Sequence, residues 1–289
     1  MNMKEISVIS GKGGTGKTSI TGCFAALSTD SVFTDCDVDA ANLSLIMHPA
    51  LLERHDFRAS KKAFINHDKC TGCNLCRELC RFDAISNAYD VDLLSCEGCG
   101  VCYHSCPEEA IVYEEVISGQ WFISQTAHGP LVHARLGIAE ENSGKLVTLV
   151  RNKAKEVANE ESKQRIITDG PPGIGCPVIA SLAGVSVALV VTEPTLPGVH
   201  DMERVLAVCR HFKVPALVCI NRYDLDEENT YKIEEYCNSA EVPVAGKVPL
   251  DRKVTEAMLQ GVSVVEYGDS PAAKRINETW EQVKKYLAI

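Results

Sequence analysis

The octapeptide Gly11-Lys12-Gly13-Gly14-Thr15-Gly16-Lys17-Thr18 stands between the apolar run Ile6-Ser7-Val8-Ile9 and a helix-like stretch reaching about Leu27. Gly-x4-Gly-Lys-Thr between a strand and a helix is the pattern of a phosphate-binding loop. Its glycines let backbone N–H groups curl around phosphate oxygens, and the following helix adds the positive end of its dipole. On this reading Gly11, Gly13, Gly14, Thr15, Gly16 and Ser19 form the cradle. Lys17 binds the β- and γ-phosphates and the Thr18 hydroxyl coordinates Mg²⁺, so ATP or ADP with magnesium is the expected ligand.

The rest of the chain has an alternating rhythm. A strand over Ser31–Thr34 ends at Asp35-Cys36-Asp37. After about Glu115 come strand candidates at Lys145–Val150, Arg165–Thr168, Val185–Val191, Ala216–Ile220 and Pro243–Val248, with a further one near Trp121–Thr126. Between them lie helix-like stretches at about Arg151–Ser162, Cys176–Ala183, Pro197–His211 and Glu227–Ser239. Continuous apolar strands alternating with helices predict an α/β fold, a mostly parallel sheet covered on both faces. At the end, Ala272–Leu287 places Ile276, Trp280, Val283 and Leu287 on one helical face, suited to packing on the domain rather than to a membrane.

Cysteine is the outlier. Eight of the 14 lie between Cys70 and Cys106. Their order is Cys70-x2-Cys73-x2-Cys76-x3-Cys80, then Cys96-x2-Cys99-x2-Cys102-x3-Cys106-Pro107, the spacing of the bacterial two-cluster ferredoxin run. Three thiolates of each run serve one [4Fe-4S] cluster and the fourth crosses to the other. The expected sets are Cys70, Cys73, Cys76 and Cys106, and Cys96, Cys99, Cys102 and Cys80. Gly72, Gly98 and Gly100 suit the tight turns this needs. Cys80 is followed by Arg81 where the pattern has proline. Zinc ribbons are the alternative, but zinc does not call for a third cysteine at x2 and a fourth at x3, twice over. A small ferredoxin-like α+β domain is thus expected at 60–115, inserted between two parts of the nucleotide-binding domain, 1–59 and 116–289. The other six, Cys23, Cys36, Cys176, Cys209, Cys219 and Cys237, are scattered and read mostly as small buried hydrophobes.

Lys12 narrows the comparison. Gly-Lys-Gly-Gly-Thr-Gly-Lys-Thr is the deviant form of the loop, and the sequence resembles the MinD/Mrp/nitrogenase-iron-protein family over about residues 4–45 and 120–289. The resemblance implies that Lys12 reaches across a dimer interface to the partner's nucleotide. It makes Asp35-Cys36-Asp37-Val38-Asp39 the first switch, with Asp37 activating the attacking water and Asp39 as a second candidate. Asp169-Gly170-Pro171-Pro172-Gly173 resembles the second switch, where Asp169 would hold Mg²⁺ through water and the Gly173 amide would sense the γ-phosphate. Asn221-Arg222 and Val248-Pro249 resemble the adenine-side loops. Cys176 lies seven residues after Asp169, which leaves two readings open: a metal ligand with His128 or His133, or a thiol at a helix start.

A formal net charge of -10 argues against nucleic acid or anionic membrane as the main partner. The start shows no signal-peptide pattern and no apolar run has spanning length, so a cytoplasmic location is expected. The combined expectation is an ATPase, slow without a partner, that couples nucleotide state to electron transfer or to metallocluster assembly on another protein. It would pair as a homodimer or with a related ATPase. The alternatives are an Mrp-type cluster scaffold or carrier and a MinD-like positioning ATPase.

Overall fold

The computed structural model describes residues 3–137, 140 and 143–288. Met1 and Asn2, and Glu141 and Asn142 of the polar stretch before Lys145, lie outside the described residues. In chain order the elements are β1 (Lys4–Ser10), α1 (Lys17–Leu27), β2 (Ser31–Asp35), α2 (Ser44–Met47), β3 (Ala50–Ile65), α3 (Leu75–Glu78), α4 (Val101–Ser105), β4 (Ile111–Thr126) and β5 (Gly129–Leu136). They continue with α5 (Ser143–Glu160), β6 (Arg165–Pro172), α6 (Cys176–Leu182), β7 (Val187–Thr192), α7 (Leu196–His211), β8 (Ala216–Asn221), α8 (Glu227–Ser239), β9 (Val244–Val248), α9 (Arg252–Leu259), α10 (Val264–Tyr267) and α11 (Pro271–Leu287). Two compact units divide the chain. The larger comprises Met1–Arg54, Trp121–Arg135 and Ser143–Ile289, the smaller His55–Gln120 and Leu136–Asn142.

In the larger unit, strands β5-β2-β6-β1-β7-β8-β9 lie side by side, with parallel pairing from β5 to β9. The registers run Ile6 beside Ile167 and Val187, and Phe33 beside Ile167 and Leu131. Alternation along each strand feeds two cores. Ile6, Val8, Val187, Leu189, Val191, Leu217 and Cys219 point to one side, with Phe24 of α1 and Trp280 of α11. Ile9, Ala188, Val190, Val218 and Ile220 point to the other, with Val178 of α6, Leu206 of α7 and Ile233 of α8. A sheet buried on both faces needs apolar residues at every position, and these strands supply them.

The expected strand at Lys145–Val150 is a helix. Leu146 to Val150 are each apolar or β-branched, but the buried set Leu146, Val147, Val150, Arg151, Ala154, Val157 and Ala158 recurs at helical spacing along α5. The period emerges only over the whole helix. Arg151 joins α5 to its neighbours: Nε donates to Glu5 Oε1 of β1 at 2.6 Å and Nη2 donates to the Ala183 carbonyl at 2.8 Å.

Among the described residues of the smaller unit, Ala63, Cys76, Ile85 and Ile111 form a small apolar cluster, with Cys80, Cys96, Cys102 and Cys106 among the half-buried residues packed on it. The stretch 60–115 takes in the last six residues of β3 and the first five of β4, both strands of 16 residues. Seven exposed positions open β3, so no burial alternation marks it.

The apolar face of α11 is spent on the core. Trp280 is 1% exposed and its ring lies 4.8 Å from that of Phe24, tilted by 39°. Trp280→Ala is expected to destabilise the protein by about 3–5 kcal/mol, read as a lowered urea midpoint. A change below about 1 kcal/mol would mean the helix is not part of the cooperative core.

Candidate functional site

The loop after β1 is shaped by its glycines. Gly14 and Gly16 have φ of 81° and 90°, the left-handed region that side chains avoid. Gly16 also faces Asn221, whose Nδ2 would lie 2.4 Å from an added Cβ. Asn221, at the end of β8, donates that Nδ2 to the Thr15 carbonyl at 2.8 Å. Gly11 packs on the backbone of Asp201 in α7, 2.5 Å from where a Cβ would stand. Gly13 and Gly14 have open space on that side. Thr15 Oγ1 is buried with no partner, an unusual cost for a hydroxyl. Lys17 is buried at the first turn of α1. This cradle, with an orphaned donor and a buried cation, suits a polyphosphate.

Asp169 closes the cradle from β6. Its Oδ2 accepts from Thr18 Oγ1 at 2.6 Å and its Oδ1 from Thr21 Oγ1 at 3.2 Å. Beside it in register is Asp35 at the end of β2, which accepts the amides of Leu43 at 3.0 Å and Asp37 at 3.2 Å. Burial, first, pushes Asp169 up to about 6, against the pull of Thr18 and Lys17. Burial and the Asp169 charge push Asp35 well above the usual carboxylate range. Two acids and a hydroxyl held this way match the hard oxygen set of a magnesium ion. Burial also raises half-buried Asp37, opposed by Lys17. Asp39 is exposed.

Lys12 has partners within its own chain. Its Nζ lies 2.5 Å from Glu193 Oε1 and donates to Thr195 Oγ1 at 3.3 Å. Arg222 Nη1 holds Glu193 Oε2 at 3.1 Å and reaches the Gly14 carbonyl at 3.5 Å. Glu193 had no sequence pattern to reveal it, since it follows β7 as one carboxylate before a proline. Ser19 Oγ contacts Met258 Sδ at 3.2 Å. The Gly173 amide donates to the Ser10 carbonyl at 2.8 Å. Pro249 follows Val248, the register partner of Asn221.

In the smaller unit the thiols fall into two groups. One pocket is lined by Cys70, Cys73, Cys76 and Cys106, with Ile65, Leu75, Tyr89 and Ile111. The other is lined by Cys80, Cys96, Cys99 and Cys102, with Ala63, Phe82, Ile85 and Val91. Gly72, Gly98 and Gly100 all have positive φ. Among the described residues no group of three or more His, Cys, Asp or Glu is placed so that it could hold a metal ion.

The scattered cysteines Cys23, Cys36, Cys209, Cys219 and Cys237 are buried. Burial raises each thiol, Cys23 and Cys219 to about 12. Cys176 is exposed and packs on Gly144 at the start of α5. The two histidines are engaged elsewhere: His128 with Glu266 at 3.2 Å and His133 with Ser124 at 3.1 Å.

A glycine cradle, a buried lysine and paired acids at the carboxyl ends of parallel strands define a P-loop nucleotide-binding protein. The chain belongs to the CobQ/CobB/MinD/ParA nucleotide-binding family, whose model matches residues 6–264; ATP hydrolysis is the activity of that class. An uncharacterized protein of Methanocaldococcus jannaschii is 31% identical over 98% of this chain and 97% of its own length. An iron-sulfur cluster carrier protein of Pyrococcus furiosus is 30% identical over 42% of this chain and 45% of its own length. The septum site-determining protein MinD of Pyrococcus horikoshii, solved with Mg-ADP, has the same fold, with a TM-score of 0.61 at 20% identity over 98% of this chain and 97% of that one.

Asp169→Asn removes a carboxyl that burial disfavours as an anion. At neutral pH the nucleotide-free variant is expected to gain on the order of 2 kcal/mol. The raised group binds its proton more tightly folded than unfolded, so the wild type regains stability as pH falls. The gap should close between about 6 and about 4. Urea melts across that range test it; a gap independent of pH would refute the assignment.

Proposed function

We propose that this protein is a dimer-forming ATPase with an inserted ferredoxin-like unit, in which nucleotide state governs electron transfer or cluster handling toward a partner protein. The observation that carries this reading is the sorting of eight cysteines into two pockets of four, with Cys80 and Cys106 each exchanged into the other run's set. An all-cysteine donor set with apolar walls suits iron–sulfur clusters. Zinc needs four ligands at one ion and would not call for a third cysteine at x2 and a fourth at x3, twice over. Two [4Fe-4S] clusters, when bound, supply one-electron storage.

The chain's own residues handle the nucleotide. Lys17 and the loop amides bind the phosphates, while Thr18 with Asp169 holds magnesium. Asp37 orients a water and takes its proton as the water's oxygen bonds to the γ-phosphorus and the bond to the β–γ bridging oxygen breaks. Asn221, Arg222 and Pro249 border the base. Lys12 must exchange Glu193 and Thr195 for the phosphates of a second subunit, a copy of this chain or a related ATPase. In the sequence, the cysteine-rich stretch falls between Asp37 and Asp169, the two switches that nucleotide would move. The protein is read as cytoplasmic, with neither nucleic acid nor membrane as its partner.

A cluster carrier is the second reading, favoured by the partial match to the Pyrococcus carrier protein. A MinD-like positioning role has the likeness of fold behind it.

Anaerobic reconstitution followed by iron and sulfide counting is expected to find about eight irons per chain, with ATP and Mg²⁺ shifting cluster potentials or the rate of electron transfer to an acceptor. Potentials and rates indifferent to nucleotide would defeat the coupling. Surrender of iron to an apo-protein would favour the carrier. Lys12→Ala should retain ATP binding and lose at least tenfold in hydrolysis, as removal of a transition-state cation does; unchanged turnover would remove Lys12 from the mechanism.

A further inference from the structure

The smaller unit contains a buried ion pair that no ligand role uses. Lys62 of β3 has only 7% of its side chain exposed, and its Nζ donates to the Cys96 carbonyl at 2.7 Å. Glu140 lies 3.5 Å from that ammonium through Oε1 and is 11% exposed; its Oε2 is buried without a partner. Buried lysine is rare and its desolvation is costly.

The surrounding backbone builds this position. The Glu140 amide closes a turn onto the Gly137 carbonyl at 3.2 Å, and the Gly137 amide is tied to the Ser118 carbonyl of β4 at 2.8 Å. Ser118 Oγ in turn accepts the amides of Ala59 and Ser60 in β3, at 3.3 and 2.9 Å. Gly98 presses on the Lys61 carbonyl, 2.0 Å from where a Cβ would stand. Tyr113 donates to the Gly98 carbonyl beneath the Lys61 ammonium, 5.4 Å from its ring. The Cys96–Cys99 loop is therefore clamped against two consecutive lysines. Around the other four cysteines the charge is disposed differently. Arg77, which follows Cys76, donates to the side chains of Asn74 at 2.7 Å and Asn87 at 2.5 Å.

We propose that Lys62, with Glu140 as its counter-charge, is a positioning residue that gives the site of Cys80, Cys96, Cys99 and Cys102 the higher reduction potential of the two. The inference rests on the reading that clusters fill both pockets. Reduction adds one negative charge to a cluster. An ammonium bonded to one of its ligand residues stabilises that charge, most strongly where water is excluded. The ammonium touches Cys96 itself and the carboxylate is held by the ammonium, so the pair acts with its positive end toward the thiols. Electrons entering the unit collect at this second site.

The test is an anaerobic potentiometric titration of the full chain followed by EPR, with iron and sulfide counted for each variant. Cys99→Ser identifies which signal belongs to the second site. Its midpoint should be ordered Glu140→Gln highest, then wild type, then the double variant Lys62→Met/Glu140→Gln, then Lys62→Met. The first site should hold nearly constant. Between wild type and the double variant, the partition of an electron between the two sites should move about tenfold, which is about 59 mV for one electron. Lys62→Met alone leaves a carboxylate buried and can fail to fold; the double variant and Glu140→Gln then carry the ordering. Full iron content with potentials that ignore these changes, or with the first site moving equally, overturns the inference and leaves the cluster reading standing. A wild-type chain that takes up no iron overturns the cluster reading, and this inference with it.

Discussion

Asp35 and Asp169 stand side by side at the carboxyl ends of two neighbouring parallel strands, both buried and both pushed toward their protonated forms by that burial. A fold does not place two acids together out of water for its own stability. The arrangement becomes intelligible once a divalent cation is added, because a positive charge turns the mutual repulsion into shared attraction. The nearby groups fit that account: Thr18 and Thr21 donate to Asp169, and the amides of Asp37 and Leu43 donate to Asp35. The loop after β1, the turn after β2 and the strand β6 are thus tied to one electrostatic centre. Their positions follow from the strand order of the sheet.

A second charge balance lies on the other side of the loop. Glu193 is shared by Lys12 and Arg222, and both cations come from segments that frame the phosphate cradle. Lys12 is 29% exposed in its side chain against 12% for Glu193. The carboxylate is therefore the fixed member and the lysine the one free to leave. A polyphosphate in the cradle would compete with Glu193 for both cations. Occupancy of the loop and release of Lys12 then become one equilibrium, the condition under which a ligand can change how two subunits meet.

The parts of this design that sequence reveals are those built from local chemistry. The loop glycines, Lys17 and Thr18 fall within eight residues, and the cysteines recur at short fixed spacings in two runs. Strands buried on both faces appear as apolar runs, which is why β1, β2 and β6 to β9 are legible. Lys145–Val150 misleads because Leu146 to Val150 are apolar or β-branched and look like a strand until Ala154, Val157 and Ala158 extend the helical period. The entry strand β3 has an exposed first half and no alternation to detect. Glu193, Lys62 and Glu140 are single charged residues in unremarkable surroundings. Their roles come from partners 181, 34 and 78 positions away in the sequence, and no local pattern encodes a pairing at that distance.

The pairing of Lys62 with Glu140 also explains why a short segment far along the chain belongs to the cysteine-rich unit. The chain leaves that unit through β4, adds β5 to the parallel sheet, and then supplies Gly137 and Glu140 to the smaller unit before α5 starts. A loop serving only to connect β5 to α5 would not place a carboxylate against a buried lysine. Removing Glu140 alone would leave Lys62 a buried charge beside a backbone carbonyl, and removing Lys62 alone would leave a buried anion, so each accounts for the other's presence. The segment that supplies this counter-charge is covalently continuous with α5, whose Arg151 grips Glu5 and the carbonyl of Ala183 that follows α6. Helix α6 in turn begins at Cys176, seven residues after Asp169 of β6. Glu140, which serves the smaller unit, and Arg151, which serves the larger, are thus only eleven residues apart in the sequence.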